Sequence, residues 1–253
     1  MSSLTVETKK DLPQMTLFAT KEVPDSNEKA VFKDPAFANN KKLPIHRWVP
    51  WIAGYSSEFV RGAIDQYMPK KGVVLDPFAG VGTSLIEAAL AGHRPVGFEI
   101  NPYAALASRT KLNAFRVNLT NLRNSMGLLD SFVRDNSSAD FQPYSTPPAG
   151  FRTRGLFYSP KVLRKVLTFF DFIHMIQDKV IKDLFRIAFA ATMVSYSNYS
   201  YEPSLGQRKS AGRENIVDYP VFHVIHKKLQ EMVEDIALLQ SRADLPPIPW
   251  TPG

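Results

Sequence analysis

The sequence has no cysteine in its 253 residues, so it can form neither a disulfide framework nor a metal site with thiolate ligands. It also lacks any apolar run of about eighteen residues, the length that a transmembrane helix needs, and we expect no membrane partner. Its first residues, MSSLTVETKKDLPQ, have none of the apolar stretch that marks a signal peptide. Together these absences favour a cytoplasmic protein.

What is present is enough apolar material for a folded core, because hydrophobic residues make up 44% of the chain. The length fits one large domain or one domain with an extension. The formal net charge is +7, which favours a polyanionic partner, although many basic proteins bind no nucleic acid.

Two short apolar segments, GVVL (72–75), which Asp76 closes, and RPVGFEI (94–100), are predicted to be strands. Each is followed by a helical segment, the first within SLIEAALAG (84–92) and the second opened by Asn101 and Pro102. Alternation of strand and helix at this spacing indicates a parallel sheet. Strands of such a sheet are usually buried on both faces, and we expect that here.

The chain divides into an N-terminal arm at 1–40, an α/β half-domain at 41–115 and a mainly helical extension at 116–253. Within the extension, the polar and proline-bearing segment 130–155 is predicted to be a loop. A last helix is predicted from six apolar residues that recur at helical spacing. These are Val221, Ile225, Leu229, Met232, Ile236 and Leu239.

Two further helices are predicted from their caps. Ser56 or Ser57 can cap a helix upstream of the first strand, and Ser159 followed by Pro160 opens one in the extension.

Between the first strand and its helix lies the turn DPFAGVGTS (76–84). Glycines at 80 and 82 permit positive φ and let a ligand approach the main chain. Glu99 stands at the tip of the second strand, where an acidic side chain accepts hydrogen bonds from ribose hydroxyls. A glycine turn that only fits a tight corner is the alternative, and the flanking strand, helix and acid argue against it.

The residues exclude two common phosphate-binding schemes at this turn. Leu85 stands where the dinucleotide fingerprint has its third glycine, and the Gly-Lys-Ser/Thr of a P-loop is absent. The segment DPFAGVGTSLIEAALAGHRPVGFEINP (76–102) instead resembles the S-adenosylmethionine motif of DNA amino-methyltransferases, which modify the exocyclic amine of adenine or cytosine.

This resemblance implies a partial Rossmann-like methyltransferase sheet with a helical extension, S-adenosyl-L-methionine as cofactor, and a role in restriction-modification in a prokaryotic cell. In that family the glycine turn passes under the methionine and the acid of the second strand holds the ribose. The upstream segment HRWVPWIAGYSSEFVRGAI (46–64) resembles the family's element that packs beside the cofactor. The cofactor-binding residues implied are Trp48, Ser57, Phe59, Asp76, Phe78, Ala79, Gly80, Gly82, Thr83, Ser84, Glu99, Ile100 and Asn101.

Members of this family hold the target amine with a second motif, Asp/Asn/Ser-Pro-Pro-aromatic, whose ring stacks on the flipped base. The stretch TPPA (146–149) lacks both the acceptor and the aromatic residue, and DLPPI (244–248) has an inserted residue and no aromatic. We therefore predict no catalytic residue in this chain. The chain ends where the family's next strand would begin, so we expect the motif on a second methyltransferase subunit.

The loop Ser195–Arg213, named here the basic loop, interleaves tyrosines with cations, a combination that suits phosphate contact and stacking on an unpaired base. A packed loop whose tyrosines seal the helices is the alternative. His223 and His226 have no third ligand nearby in the sequence, so no metal site is predicted. The nucleic-acid-binding candidates are Tyr196, Asn198, Tyr199, Tyr201, Arg208, Lys209 and Arg213.

The sequence thus predicts the S-adenosylmethionine-binding subunit of a DNA methyltransferase, inactive alone, in a hetero-oligomer with DNA as substrate. An RNA or small-substrate methyltransferase, a non-catalytic nucleic-acid-binding scaffold and a truncated fragment are the alternatives. Glu99 beside the glycine turn favours the enzyme, because a scaffold has no need of a cofactor site.

Overall fold

The computed structural model describes residues 37–51, 54–138, 140–149, 155–200 and 205–242, all in a single unit of the chain. The predicted arm at 1–40 lies outside these ranges except for its last four residues. The helices and strands are, in chain order, α1 (Ser57–Tyr67), β1 (Val73–Asp76), α2 (Thr83–Leu90), β2 (Arg94–Gly97), α3 (Pro102–Asn113), α4 (Leu119–Asp135), α5 (Pro160–Met175), α6 (Lys179–Thr192), β3 (Tyr199–Ser200), β4 (Gly206–Gln207) and α7 (Val221–Gln240). Short 3₁₀ turns cover Phe37–Lys42, His46–Trp48, Ala114–Arg116 and Arg208–Ala211.

The fold is mixed α/β, rich in helix, with two small sheets in its described part. Strands β1 and β2 pair in parallel, with Val73 opposite Arg94 and Asp76 opposite Gly97, and α2 connects them. This confirms the predicted strand–helix–strand order. Strands β3 and β4 form a separate antiparallel pair within the basic loop.

The expectation that the strands are buried on both faces is wrong for both β1 and β2, since neither strand contains a buried residue. Val73 is 54% exposed and Leu75 is 58% exposed. The physical reason is that Val74 packs against α1 and α2, whereas Val73 and Leu75 lie on the opposite face of the strand, which is largely open to solvent.

The core is built mainly by the helices. The six apolar residues predicted on one face of α7 are all buried, which confirms that periodicity, and they pack against α4, α5 and α6. Aromatic rings from α5 and α6 fill the centre, where Phe169 and Phe185 have no exposed surface. Among the described ranges, no helix combines the length and the apolarity needed to cross a membrane.

Helix α4 is the element that sequence reasoning misplaced. The predicted loop at 130–155 begins inside this helix, which starts after Asn118 and continues to Asp135. Leu122, Met126 and Leu129 recur at helical spacing and are buried. The polar residues that suggested a loop occupy the exposed face of the helix.

Helix starts follow the predicted caps. The Ser56 side chain accepts a hydrogen bond from the Phe59 N–H and so caps α1, which decides between the two candidate serines. Asn101 and Ser159 cap α3 and α5 in the same way, each before a proline. The start of α3 is therefore fixed immediately after the tip of β2, where the candidate site lies.

Candidate functional site

The turn between β1 and α2 is a tight corner closed by backbone bonds and one carboxylate. Asp76 Oδ1 accepts a hydrogen bond from the Phe78 N–H at 2.9 Å, and the Phe98 carbonyl accepts one from the Ala79 N–H at 3.0 Å. Gly80 and Gly82 have φ of +51° and +85°, in the left-handed region that favours glycine. A Cβ on Gly82 would lie 2.8 Å from the Cβ of Ser108, so α3 also requires a glycine there.

Glu99 touches the glycine turn directly. Its Oε2 accepts a hydrogen bond from the Gly80 N–H at 2.8 Å, and its Oε1 accepts one from the Asn101 N–H at 2.7 Å. The two features that the sequence singled out separately, the turn and the acid, are thus parts of one site. Both carboxylate oxygens are fixed by backbone donors at the carboxyl end of the parallel strands.

The other predicted residues of the turn differ in exposure. Ala79 and Thr83 are buried, and Ser84 is half-buried at the start of α2. Phe78 is 87% exposed and Ile100 is 98% exposed, an unusual state for side chains of this size. The turn and the residue after Glu99 therefore each expose a large apolar side chain.

The upstream segment places a different tryptophan at the turn from the one predicted. A Cβ on Gly80 would lie 3.4 Å from Trp51 Nε1, and the Trp51 ring is 6.4 Å from that of Tyr103. Trp48 is fully buried instead, and its indole N–H donates to Asp235 Oδ2 at 2.9 Å. Sequence reasoning missed Trp51, because two tryptophans three residues apart are equivalent until the partner of one is known.

Ser57 and Phe59 lie in the packing behind the turn. Ser57 is fully buried, its N–H donates to Asn40 Oδ1 at 2.9 Å, and its hydroxyl has no hydrogen-bond partner in the described part of the chain. Phe59 packs with the small cluster between α1 and α2.

Asn40 is a second residue that sequence reasoning missed. Its Nδ2 donates to the Tyr55 carbonyl at 2.9 Å and lies 3.5 Å from the Thr83 hydroxyl. It therefore ties the upstream segment to the first residue of α2. No sequence signal indicates this role, because Asn40 is the last residue of the predicted arm.

A buried ion pair joins the same two parts of the chain. Glu87 of α2 accepts hydrogen bonds from His46 Nε2 at 2.9 Å and from Arg61 Nε at 3.0 Å. Burial lowers the pKa of His46, and the Glu87 carboxylate opposes that shift. The charge of Glu87 is thus compensated by Arg61 whether or not the imidazole is protonated.

Asp235 of α7 holds the His46–Trp48 turn from the other side. Its carboxylate, almost completely buried, accepts hydrogen bonds from the Ile45 N–H, the Arg47 guanidinium and the Trp48 indole. A residue of the helical extension therefore fixes the segment that leads to Trp51.

The basic loop has an inner and an outer part. Tyr196 has no exposed surface. The Asn198 Nδ2 donates a hydrogen bond to the Leu156 carbonyl at 3.1 Å, and its Oδ1 accepts one from the Ile216 N–H at 2.9 Å. Tyr199 stacks on Phe157 with the ring centroids 5.1 Å apart. These contacts match the packed-loop alternative for the inner part.

The outer part of the basic loop carries its cations. Lys209 and Arg213 are exposed, and the Arg208 Nε donates to the Glu214 carbonyl at 2.9 Å. Tyr201 lies outside the described residues. The structure thus brings Lys209, Arg208 and Arg213 to the surface, whereas Tyr196 and Asn198 face the interior.

One of the two proline stretches considered as catalytic motifs lies in the described part of the chain. TPPA (146–149) is exposed, and the two residues before it donate their N–H groups to the buried Asp171 carboxylate at 3.1 and 2.7 Å. DLPPI (244–248) lies outside the described residues. His226 Nδ1 lies 3.2 Å from Asp130 Oδ1, and the described ranges hold no group of three or more potential metal ligands.

Comparison with known proteins finds similarity to DNA methyltransferases in part of the chain. Residues 6–109 match the DNA methylase family of the N6/N4 type. The type II methyltransferase M.BsoBI of Geobacillus stearothermophilus is 35% identical over 88 residues, which are 34% of this chain and 17% of that enzyme. The type II methyltransferases M.AvaI of Nostoc sp. and of Anabaena variabilis are each 37% identical over 68 residues, which are 26% of this chain and 14% of each enzyme. The matched part of the chain thus spans less than a fifth of each of these relatives, and no solved structure matches the chain.

Proposed function

We propose that the chain is the S-adenosylmethionine-binding subunit of an enzyme that methylates the exocyclic amine of adenine or cytosine in DNA, because its residues 6–109 match the DNA methylase family of the N6/N4 type. Enzymes of this family take the transferred methyl group from S-adenosylmethionine. The observation that carries the proposal is the 2.8 Å hydrogen bond between the Gly80 N–H and the Glu99 carboxylate.

The residues at the turn fit this cofactor. A carboxylate offers about four acceptor sites, and Glu99 uses two of them for backbone N–H groups. The remaining two can accept hydrogen bonds from the two ribose hydroxyls. Phe78 and Ile100 supply exposed apolar surface for the methionine and adenine ends, with Trp51 beside Gly80. These residues would contribute mainly by holding the methyl donor in line with the target amine.

Calorimetric titration with S-adenosylmethionine tests the proposal. Glu99→Ala should weaken binding by roughly 1–3 kcal/mol, because the ribose hydroxyls lose charged acceptors. Asp140→Ala removes an exposed carboxylate elsewhere and should leave the affinity unchanged. Since Glu99 also holds two backbone N–H groups, thermal melts must accompany the titration. Equal affinities for the wild type and a folded Glu99→Ala would reject the cofactor role.

The β1–α2–β2 unit is, in this proposal, the first part of a Rossmann-like sheet that a second polypeptide completes. Five large apolar side chains on or beside the two strands are at least half exposed. Apolar surface of this extent beside a free strand edge marks an interaction site. The five are Val73, Leu75, Phe78, Phe98 and Ile100.

The second polypeptide would also carry the Asp/Asn/Ser-Pro-Pro-aromatic motif. Its polar side chain would accept hydrogen bonds from the target amine, and its ring would stack on the flipped base. The division into an arm (1–40), a cofactor-binding half-domain (41–115) and a helical extension (116–253) is a division of roles along the chain, since helices from both sides of residue 115 share one core.

DNA contact is assigned in this proposal to the outer part of the basic loop. Arg208, Lys209 and Arg213 would neutralise phosphates, with Tyr199 behind them, while Tyr196 and Asn198 would hold the loop in place. The excess of positive charge over the whole chain supports a polyanionic substrate. Each phosphate contact removed should lower the slope of log affinity against log salt by about one.

A further inference from the structure

A cavity of about 570 Å³ lies between the start of α5 and the basic loop. Its volume falls within the range of about 300–1,000 Å³ that is usual for small-ligand sites. The described residues that line it include no acidic side chain, whereas Lys161 and Lys209 both border it. Nearby Asp218 is already engaged by Lys165 Nζ at 2.6 Å. The charge of the cavity therefore favours an anion.

The walls of the cavity combine polar side chains with apolar and aromatic ones. Tyr199 lines it with a ring that is backed by Phe157, and Ile216 and Val217 line it as well. The buried Tyr199 hydroxyl has no hydrogen-bond partner in the described part of the chain. A flat ring that is itself supported by a second ring is a rigid surface on which an unpaired base can stack.

The positive end of α5 points to the same place. Ser159, which caps this sixteen-residue helix, and Lys161 in its first turn both line the cavity. The helix dipole adds partial positive charge near the two lysines. Cations on the rim and a stacking wall inside match the two halves of a nucleotide, its phosphate and its base.

We propose that this cavity, named here the nucleotide pocket, binds one unpaired nucleotide of the DNA substrate, with the phosphate at Lys161 and Lys209 and the base against Tyr199. The inference rests on the proposed role in DNA modification and extends it. It separates the basic loop into a pocket that holds a base and an outer rim that contacts phosphates. A free mononucleotide has the same chemistry, and the experiment distinguishes it from DNA.

Fluorescence anisotropy with a labelled single-stranded oligothymidine of ten nucleotides tests the pocket. Lys209→Ala should weaken binding about tenfold through loss of phosphate contact. Val217→Trp fills the cavity from a position that is 71% exposed and leaves every charge in place, and it should also weaken binding about tenfold. Lys227→Ala removes an exposed charge from α7 and should change binding less than twofold.

Three results would overturn the inference. One is oligonucleotide binding by folded Val217→Trp at wild-type strength, and another is an equal loss in Lys227→Ala, which would indicate charge alone. The third is saturation of the wild type by thymidine monophosphate without displacement of the oligonucleotide, which would indicate a site for a free nucleotide. The inference is supported if thymidine monophosphate displaces the oligonucleotide from the wild type and no longer does so in Val217→Trp.

The cofactor titration keeps this inference separate from the proposed function. Lys209→Ala and Val217→Trp lie away from the glycine turn and should bind S-adenosylmethionine like the wild type. If the wild type binds the cofactor but no oligonucleotide, the pocket is rejected and the cofactor role stands. If it binds the oligonucleotide but no cofactor, the proposed function fails while the pocket survives as a nucleic-acid site.

Discussion

The two glycines of the turn have positive φ for different local reasons. Gly82 opens α2 at φ +85°, with the backbone of α3 close behind it. Gly80 has a smaller φ of +51°, and the space beside it ends at the Trp51 ring. Gly82 is therefore required by the fold, whereas Gly80 also borders the candidate cofactor surface.

Alanine at the two positions should separate stability from binding. Gly82→Ala should lower the free energy of unfolding by roughly 2 kcal/mol or more, because its Cβ meets Ser108. Gly80→Ala should lower it by about 1–2 kcal/mol from its left-handed φ and weaken S-adenosylmethionine binding in addition. Urea unfolding and calorimetry measure the two quantities.

Gly127 provides the control for these substitutions. It lies on α4, where a Cβ would meet no neighbouring side chain within 4 Å. Gly127→Ala should therefore raise the free energy of unfolding by about 1 kcal/mol through helix propensity and leave binding unchanged. Unaltered affinity in a folded Gly80→Ala would remove that glycine from the site.

Asp235 is the residue with the largest expected effect on the upstream segment. Asp235→Ala should lower the free energy of unfolding by about 2–5 kcal/mol, because it leaves the buried Ile45 N–H and the buried Trp48 indole N–H without their acceptor and removes the nearer of two carboxylates from the partly exposed Arg47. The Trp48 fluorescence should change with it. Glu234→Gln alters an exposed carboxylate one position earlier on α7 and should change neither the free energy of unfolding nor the fluorescence. A stable Asp235→Ala with unchanged fluorescence would contradict the proposed anchoring.

Single residues of the site were predictable to the degree that their partners were near in sequence. Asp76, Gly80 and Glu99 occupy one strand–helix–strand unit, and their spacing was sufficient to place them together. The contact of the Trp48 indole with Asp235 was not predictable, because Asp235 lies on the last helix. No local pattern reports a contact over that separation.

At the scale of elements, α3 carries an unusual interior charge. Lys111 is completely buried, and its Nζ lies 3.4 Å from the His46 carbonyl. Burial, with a smaller contribution from the charge of Lys228, lowers the pKa of Lys111 from 10.5 to about 7. The unfolded chain therefore binds this proton up to a higher pH than the folded protein does.

The consequence is a stability that rises with pH. Between about pH 7 and 10.5 unfolding takes up a proton at Lys111, so raising the pH stabilises the fold by at most about 1.4 kcal/mol per pH unit. Lys111→Met should be more stable than the wild type at pH 7, and the difference should shrink toward pH 10. Urea unfolding at several pH values measures it, with the exposed Lys227→Met as control. A difference independent of pH would show that the pKa of Lys111 is the same in the folded and unfolded states.

Among the elements, those with a single buried face were the most predictable. The apolar residues of α7 indicated its orientation correctly, because each turn of the helix contributes one of them to the core. β1 was misjudged because valine and leucine favour a doubly covered strand, while the coverage of a strand depends on its neighbours. The end of α4 was missed because its polar outer face resembles a loop in composition.

At the scale of the whole molecule, the exposed strand surface leads to a prediction about assembly. The chain alone should not methylate DNA, and mixing it with a subunit that carries the Asp/Asn/Ser-Pro-Pro-aromatic motif should restore methyl transfer that neither shows alone. A permanent interface of this kind should bury more than about 2,000 Å². Methylation assays with labelled cofactor and sedimentation of the mixture provide the measurements.

Substitutions on the exposed strand surface sharpen this experiment. Leu75→Glu places a charge where the second chain would pack and should abolish assembly and activity of the mixture. Leu128→Glu changes an equally exposed leucine on α4 and should leave both intact. Efficient methylation by the purified single chain would refute the division between two subunits.

The carboxylate of Asp235 has a consequence for the order in which the protein matures on the ribosome. The segment it holds is synthesised 188 residues earlier, since Arg47 and Asp235 are that far apart in the chain. At a translation rate of about 5–20 residues per second, Arg47 and Trp48 lack the Asp235 carboxylate for roughly 10–40 seconds after they are synthesised. During that interval a nascent-chain chaperone or a protease meets them unprotected, and the arrival of the last helix ends that exposure.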